Sequence, residues 1–284
     1  MEVKAFHDEN TGTMTYVVHD PETKDAVVID AVWDFDPLAW KTYTETADKV
    51  AAFIEEAGLT VQLIMDTHAH ADHLSAMDVM KQKLGAKTMI GEHITVVQEV
   101  FSELFNIKDF PADGSQFDIL AKEGGPVRAG SITLEPIHTP GHTPACYTWK
   151  IEDMIFTGDT LFMPDFGMGR CDFPKGSAED LYNSVHEKLY KLPPETRVFV
   201  GHDYQPGGRE LRYETTISES MKENKQLREE TARDEFVKVR TERDKTLSQP
   251  KLILHSLQVN IRAGKLPGPE DNGTSYMKMP IGLL

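Results

Sequence analysis

The sequence predicts an α/β layered sandwich, two mixed sheets covered by helices, rather than a simple doubly wound sheet. Apolar, β-rich runs alternate with segments of helical periodicity, and several of the strands come in hairpin-like pairs. No repeat or low-complexity linker divides the 284 residues. A chain of that length can bury one large core. A single domain over 1–284 is therefore expected, with about 214–284 as a C-terminal helical extension.

Residues 14–18 and 26–30 are rich in Val, Thr, Tyr and Ile, and the run Asp20-Pro21-Glu22-Thr23-Lys24-Asp25 between them is turn-forming, which predicts a hairpin. A helix is predicted over roughly 36–58, where Val50, Phe53, Ile54 and Ala57 fall at helical spacing and Gly58 suits the stop. An apolar strand at 61–65 and a short helix over about 75–84 follow. Further strands are predicted at 87–90, 131–134, 147–151, 154–157 and 197–200. Before the last of these, Ser177 caps a helix with Asp180 three residues on, and Leu181, Val185 and Leu189 line one face. The charged run 214–246 is predicted to be helical.

The formal net charge is −16. A surface this acidic repels nucleic-acid phosphates and anionic lipid heads, so neither is an expected partner. No apolar run reaches the length needed to span a bilayer. The opening Met1-Glu2-Val3-Lys4 has no basic cluster followed by an apolar stretch, so no secretory signal is expected. The two cysteines, Cys146 and Cys171, form neither a CxxC pair nor a disulfide framework. A reducing, cytoplasmic setting is expected.

The chemistry concentrates in Thr67-His68-Ala69-His70-Ala71-Asp72-His73, at the end of the apolar strand 61–65. Three imidazoles that close would repel one another if protonated, and packing does not call for them. A divalent cation resolves this by taking neutral imidazole lone pairs and a carboxylate. The arrangement then repeats: His142 in Pro140-Gly141-His142, Asp159 in Thr157-Gly158-Asp159 and His202 in Gly201-His202-Asp203 each follow an apolar strand and a glycine. Strand ends are rigid, and glycine lets the backbone turn sharply and come close to an ion. His7, His19, His93, His138, His186 and His255 lack ligand-rich neighbours and are read as surface or structural.

This ordered set, over nearly the whole chain, resembles the metallo-β-lactamase superfamily. The resemblance implies a four-layer αββα sandwich with the metal site at one edge of the paired sheets. It implies two metal pockets, one drawing on His68, His70, His142 and Asp159, the other on Asp72, His73, His202 and a bridging Asp159. Phe156-Thr157-Gly158-Asp159-Thr160-Leu161-Phe162, Gly169-Arg170-Cys171-Asp172-Phe173 and Gly201-His202-Asp203-Tyr204 are similar to the persulfide dioxygenases within that superfamily, and Val259-Asn260-Ile261-Arg262-Ala263-Gly264 to a bacterial subgroup of them.

That second resemblance implies one Fe(II) per chain on His68, His142 and Asp159, with His70, Asp72, His73 and His202 orienting ligands and water. The implied reaction takes glutathione persulfide, O₂ and water to sulfite and glutathione, in a protein for which a homodimer is one expected assembly. Arg170, Arg262 and Tyr204 are the expected substrate contacts, the guanidinium groups because they suit carboxylates. Residues 163–168 lengthen the loop after Asp159 and would reshape the thiol pocket. The alternative is a hydrolase with two Zn(II) per chain, acting on a glutathione thioester or a lactone with the same residues. A metal-binding sensor without turnover is a third reading.

Overall fold

The computed structural model describes residues 1–282. In chain order its strands are β1 (Glu2–His7), β2 (Met14–His19), β3 (Asp25–Ile29), β4 (Val32–Asp36), β5 (Lys41–Tyr43), β6 (Thr60–Met65), β7 (Leu74–Ser75), β8 (Lys87–Gly91), β9 (Ile119–Ala121), β10 (Val127–Ala129), β11 (Ile132–His138), β12 (Tyr147–Ile151), β13 (Met154–Phe156), β14 (Arg197–Phe199) and β15 (Glu214–Thr216). The α-helices are α1 (Glu45–Glu56), α2 (Met77–Leu84), α3 (Ile94–Leu104), α4 (Ala178–Tyr182), α5 (Ile217–Glu223), α6 (Arg233–Asp244) and α7 (Ile253–Asn260).

One six-stranded sheet runs β1-β2-β3-β6-β8-β9, and a second runs β10-β11-β12-β13-β14-β15. Successive side chains of a strand point to opposite faces. In β2 and β3, Val18, Val27 and Ile29 therefore face the other sheet, meeting Trp149, Phe156 and Phe199, while Val17 and Val28 face the helices. Burial on both faces explains why these strands carry consecutive apolar residues, Val17-Val18 and Ala26-Val27-Val28-Ile29, rather than alternating. Val50, Ile54, Met77, Phe101 and Leu257 cover the first sheet, and Leu181, Val185, Leu189 and Phe236 cover the second. The result is the four-layer αββα sandwich. Between the sheets, Phe156 stacks on Phe199 at 4.9 Å and Tyr16 meets Phe156 edge-on at 5.2 Å. Such pairs contribute about 0.5–1.5 kcal/mol beyond their area.

Several elements differ from the sequence expectation. The helix predicted over 36–58 begins only at Glu45, because residues 32–36 and 41–43 form strands β4 and β5 of the small sheet β5-β4-β7. Asp36 turns the chain there, its Oδ1 accepting from the amides of Leu38 and Ala39. Strand β1 and helix α3 were not predicted. The Ser177 cap is present, with Oγ accepting from Asp180 N at 3.1 Å. Its helix, however, passes into a π-helical turn at Asn183–Lys188. The charged tail opens with strand β15, which pairs with β14, before its helices begin.

The topology brings the loops together. β13 and β14 are parallel neighbours, so the loops carrying Asp159 and His202 leave the same sheet edge side by side. β6 ends on the facing sheet, and Met14 N donates to Gly201 O at 2.9 Å, tying the two edges. Among the described residues, no helix is long and apolar enough to cross a membrane.

Candidate metal centre

The loop 66–73 alternates by size for a reason visible in its packing. Ala69 and Ala71 belong to the core beneath the helices, with Ile261 and Ala263. The intervening His68, His70 and His73, each 1% exposed, project toward the sheet edge. Close approach of the other loops depends on glycine. Gly158 has φ +49°, and a Cβ there would sit 2.3 Å from Thr67 Oγ1; one on Gly201 would sit 2.7 Å from the Gly158 carbonyl carbon.

All seven predicted residues come together. His68, His142 and Asp159 offer ligand atoms within 4.8 Å of one another, as do His70, Asp72 and His73. His142 Nε2 is 3.5 Å from Asp159 Oδ2. His202 Nε2 lies between the two sets, 3.3 Å from Asp159 Oδ1 and 3.5 Å from Asp72 Oδ2.

The hydrogen bonds fix which ring nitrogen faces inward. His142 Nδ1 donates to Arg170 O at 2.6 Å, which leaves Nε2 as a lone pair. Asp30 governs two more rings. It accepts from His70 Nε2 at 3.0 Å and from Thr67 Oγ1 at 2.9 Å, and that hydroxyl oxygen in turn accepts from His68 Nδ1 at 3.0 Å. His68 Nε2 and His70 Nδ1 are thus left as lone pairs, and both are buried without any hydrogen-bond partner among the described residues, as is Asp159 Oδ1. Buried polar atoms are rarely left so. His68 and Asp159 offer ligand atoms in one cluster and His70 in the other, and a bound cation would satisfy them; imidazole and carboxylate donors suit iron or zinc alike.

The electrostatics agree. Burial, reinforced by the neighbouring imidazole of each, holds His68 and His70 well below the ordinary histidine value, in the neutral form a metal requires. Burial opposes ionisation of Asp159, but the surrounding His202, His142 and His68 outweigh it and lower its carboxyl. Asp66, buried beside Asp30, is pushed up to about 8 by burial.

A cavity of about 920 Å³ opens onto this centre. Asp72, His73, His142 and Asp159 form its floor, and Phe162, Phe166, Met168 and Tyr204 one wall. Phe166 and Met168 bring the lengthened 163–168 loop into that wall. Tyr204 stacks on His202, ring centroids 5.3 Å apart. Arg170 reaches the cavity, but its guanidinium holds Asp172 through two bonds and Ser248 O through a third. Arg262 is not brought to the cavity; its guanidinium lies over Phe110, 4.8 Å from the ring centroid. His7, His19, His93, His138, His186 and His255 join neither ligand cluster. Sequence reasoning missed Asp30, whose only signal was a carboxylate ending an apolar strand. It also missed Arg243 and Lys251, which line the cavity from the tail.

The model of the metallo-beta-lactamase superfamily matches residues 7–202. A beta-lactamase hydrolase-like protein of Agrobacterium fabrum is 48% identical over 99% of this chain, which spans 65% of that longer protein. The mitochondrial persulfide dioxygenase ETHE1 of Homo sapiens is 34% identical over 89% of this chain and 84% of its own. The crystal structure of ETHE1 from Myxococcus xanthus superposes with TM-score 0.75 at 29% identity, covering 93% of this chain and all of that one.

Proposed function

The chain belongs to the metallo-beta-lactamase superfamily, and from that premise we propose that it is an Fe(II) persulfide dioxygenase acting on glutathione persulfide. The observation that carries the reading is the cluster of His68, His142 and Asp159. Two imidazoles and one carboxylate on one side of an ion, with the remaining positions open, is the donor set of non-haem Fe(II) oxygenases. The similarity to the human persulfide dioxygenase supports it.

Bound there, Fe(II) supplies the redox change that lets a persulfide sulfur and O₂ react, which Zn(II) does not offer. Overall, glutathione persulfide, O₂ and water give glutathione, sulfite and two protons; the sulfane sulfur loses four electrons and O₂ gains them. Asp30 holds His68 and His70 in one tautomer each. Phe162, Phe166 and Met168 give the cavity a wall that suits a soft sulfur and limits water. Arg243 and Lys251, in no ion pair among the described residues, are the cations free to take the carrier's carboxylates. A reducing cytoplasmic setting and a homodimer complete the reading.

The second cluster, His70, Asp72 and His73, favours one other reading, a two-Zn(II) hydrolase. Metal analysis of protein purified without added zinc, joined to O₂ uptake on glutathione persulfide, separates them. One iron per chain with stoichiometric O₂ uptake is expected. Two zinc ions, no O₂ uptake and thioester turnover would end the dioxygenase reading.

A further inference from the structure

We propose that Asn260 is a positioning residue for the metal centre, a side-chain clamp by which the C-terminal tail sets the geometry of the histidine loop. Asn260 is the last residue of α7 and is 2% exposed. Its Nδ2 donates to His70 O at 2.8 Å and to His73 O at 2.9 Å, and its Oδ1 accepts from Ser75 N at 2.8 Å. One amide thus spans the backbone from His70 to Ser75 and satisfies three buried main-chain groups, from 185 or more residues away. A side-chain amide offers two donors and an acceptor on one rigid plane, so the three bonds fix the spacing of the carbonyls they join.

The segment after Asn260 is seated against the same loop. Ile261 and Ala263 pack in the core with Ala69 and Ala71, the residues between the histidines. Gln98 Nε2 holds Ile261 O at 2.9 Å. Gly264, at φ +80°, lies so close that a Cβ there would be 2.7 Å from Ser75 O. The loop is therefore held from both sides, by Asp30 on two of its rings and by Asn260 on its backbone. Metal sites are sensitive to such support, because a ligand displaced by a fraction of an ångström loses its bond geometry.

The inference rests on the metal centre of the proposed function but not on its reaction. The test compares the full-length parent with Asn260→Ala, Asn260→Leu and the control Gln258→Ala, each loaded with Zn(II) alone and, anaerobically, with Fe(II) alone. Gln258 lies on the same helix but binds Leu254 O and the backbone of Lys278, not the loop. Metal affinity by chelator competition should fall about tenfold or more in both Asn260 variants and stay within about twofold in the control. Amide hydrogen exchange over 68–75 should quicken in the Asn260 variants alone. Asn260→Leu keeps the side-chain volume and adds no charge, so it serves if Asn260→Ala does not fold. Parent-like metal affinity in a folded Asn260 variant overturns the proposal, and so does an equal loss in Gln258→Ala. Absence of O₂ uptake by the parent would sink the dioxygenase reading and leave this comparison standing.

Discussion

Asp30 Oδ1 and His70 Nε2 meet at 3.0 Å across forty residues of sequence, both side chains almost fully buried. The same carboxylate accepts from the amide of Thr67 at 2.7 Å and from its hydroxyl at 2.9 Å. Asp30 therefore acts on two rings of the centre without being part of the His68, His142 and Asp159 cluster. Asp30→Asn should lower metal affinity by about 10–100-fold, the usual effect of losing a carboxylate behind a ligand. Chelator competition measures it. Parent-like affinity would mean the ring orientations are set by packing alone.

Asp159 and Asp72 separate the one-metal and two-metal readings. Asp159 is the carboxylate of the first cluster and Asp72 of the second. Asp159→Ala should abolish both bound iron and O₂ uptake. Asp72→Ala should leave one iron per chain, since the first cluster is untouched. Metal content by mass spectrometry is the readout, and an Asp72→Ala protein that drops from two ions to one would favour the hydrolase.

Arg243 and Lys251 line the cavity, whereas Arg170 is committed to Asp172 and Ser248. The double variant Arg243→Glu, Lys251→Glu should raise KM for glutathione persulfide about tenfold with kcat little changed, the signature of lost uniform binding. Arg170→Ala should move KM less. The opposite ranking would assign the carrier's carboxylates to Arg170.

The two resemblances and the histidine and aspartate cluster were legible because their chemistry is local. His68, His70, Asp72 and His73 sit within one short loop, and the Gly-His and Gly-Asp pairs mark strand ends. What stayed hidden is what tertiary contact decides. Asp30 reads as the end of an ordinary strand, and only the fold shows it beneath two imidazoles. Asn260 reads as a helix terminus until α7 meets the loop. Residues 36–58 looked like one helix because the periodicity of its second half was extended backward through Pro37, where an aspartate turn and a short strand stand instead. The direction of the Arg262 side chain is likewise a tertiary matter: expected as a substrate contact, its guanidinium lies over Phe110.

Cys146 offers a test of burial by pH. It is 2% exposed, and burial pushes its thiol up to about 12 from an ordinary value near 9, although Thr143 partly offsets this by hydrogen bonding to the sulfur. At pH 8 the thiolate fraction is about one in ten thousand, so the native protein should resist iodoacetamide at Cys146 and label there at once in denaturant. The linkage has a definite sign. The folded state keeps a proton that the unfolded thiol releases above about 9, so this contribution to stability is intact below that pH and is lost as pH climbs toward 12. Cys146→Ala should flatten the fall of Tm between pH 8 and pH 10 relative to the parent. Rapid native labelling, or an unchanged slope in the variant, would show that the thiol is not held protonated by the strand and loop around it.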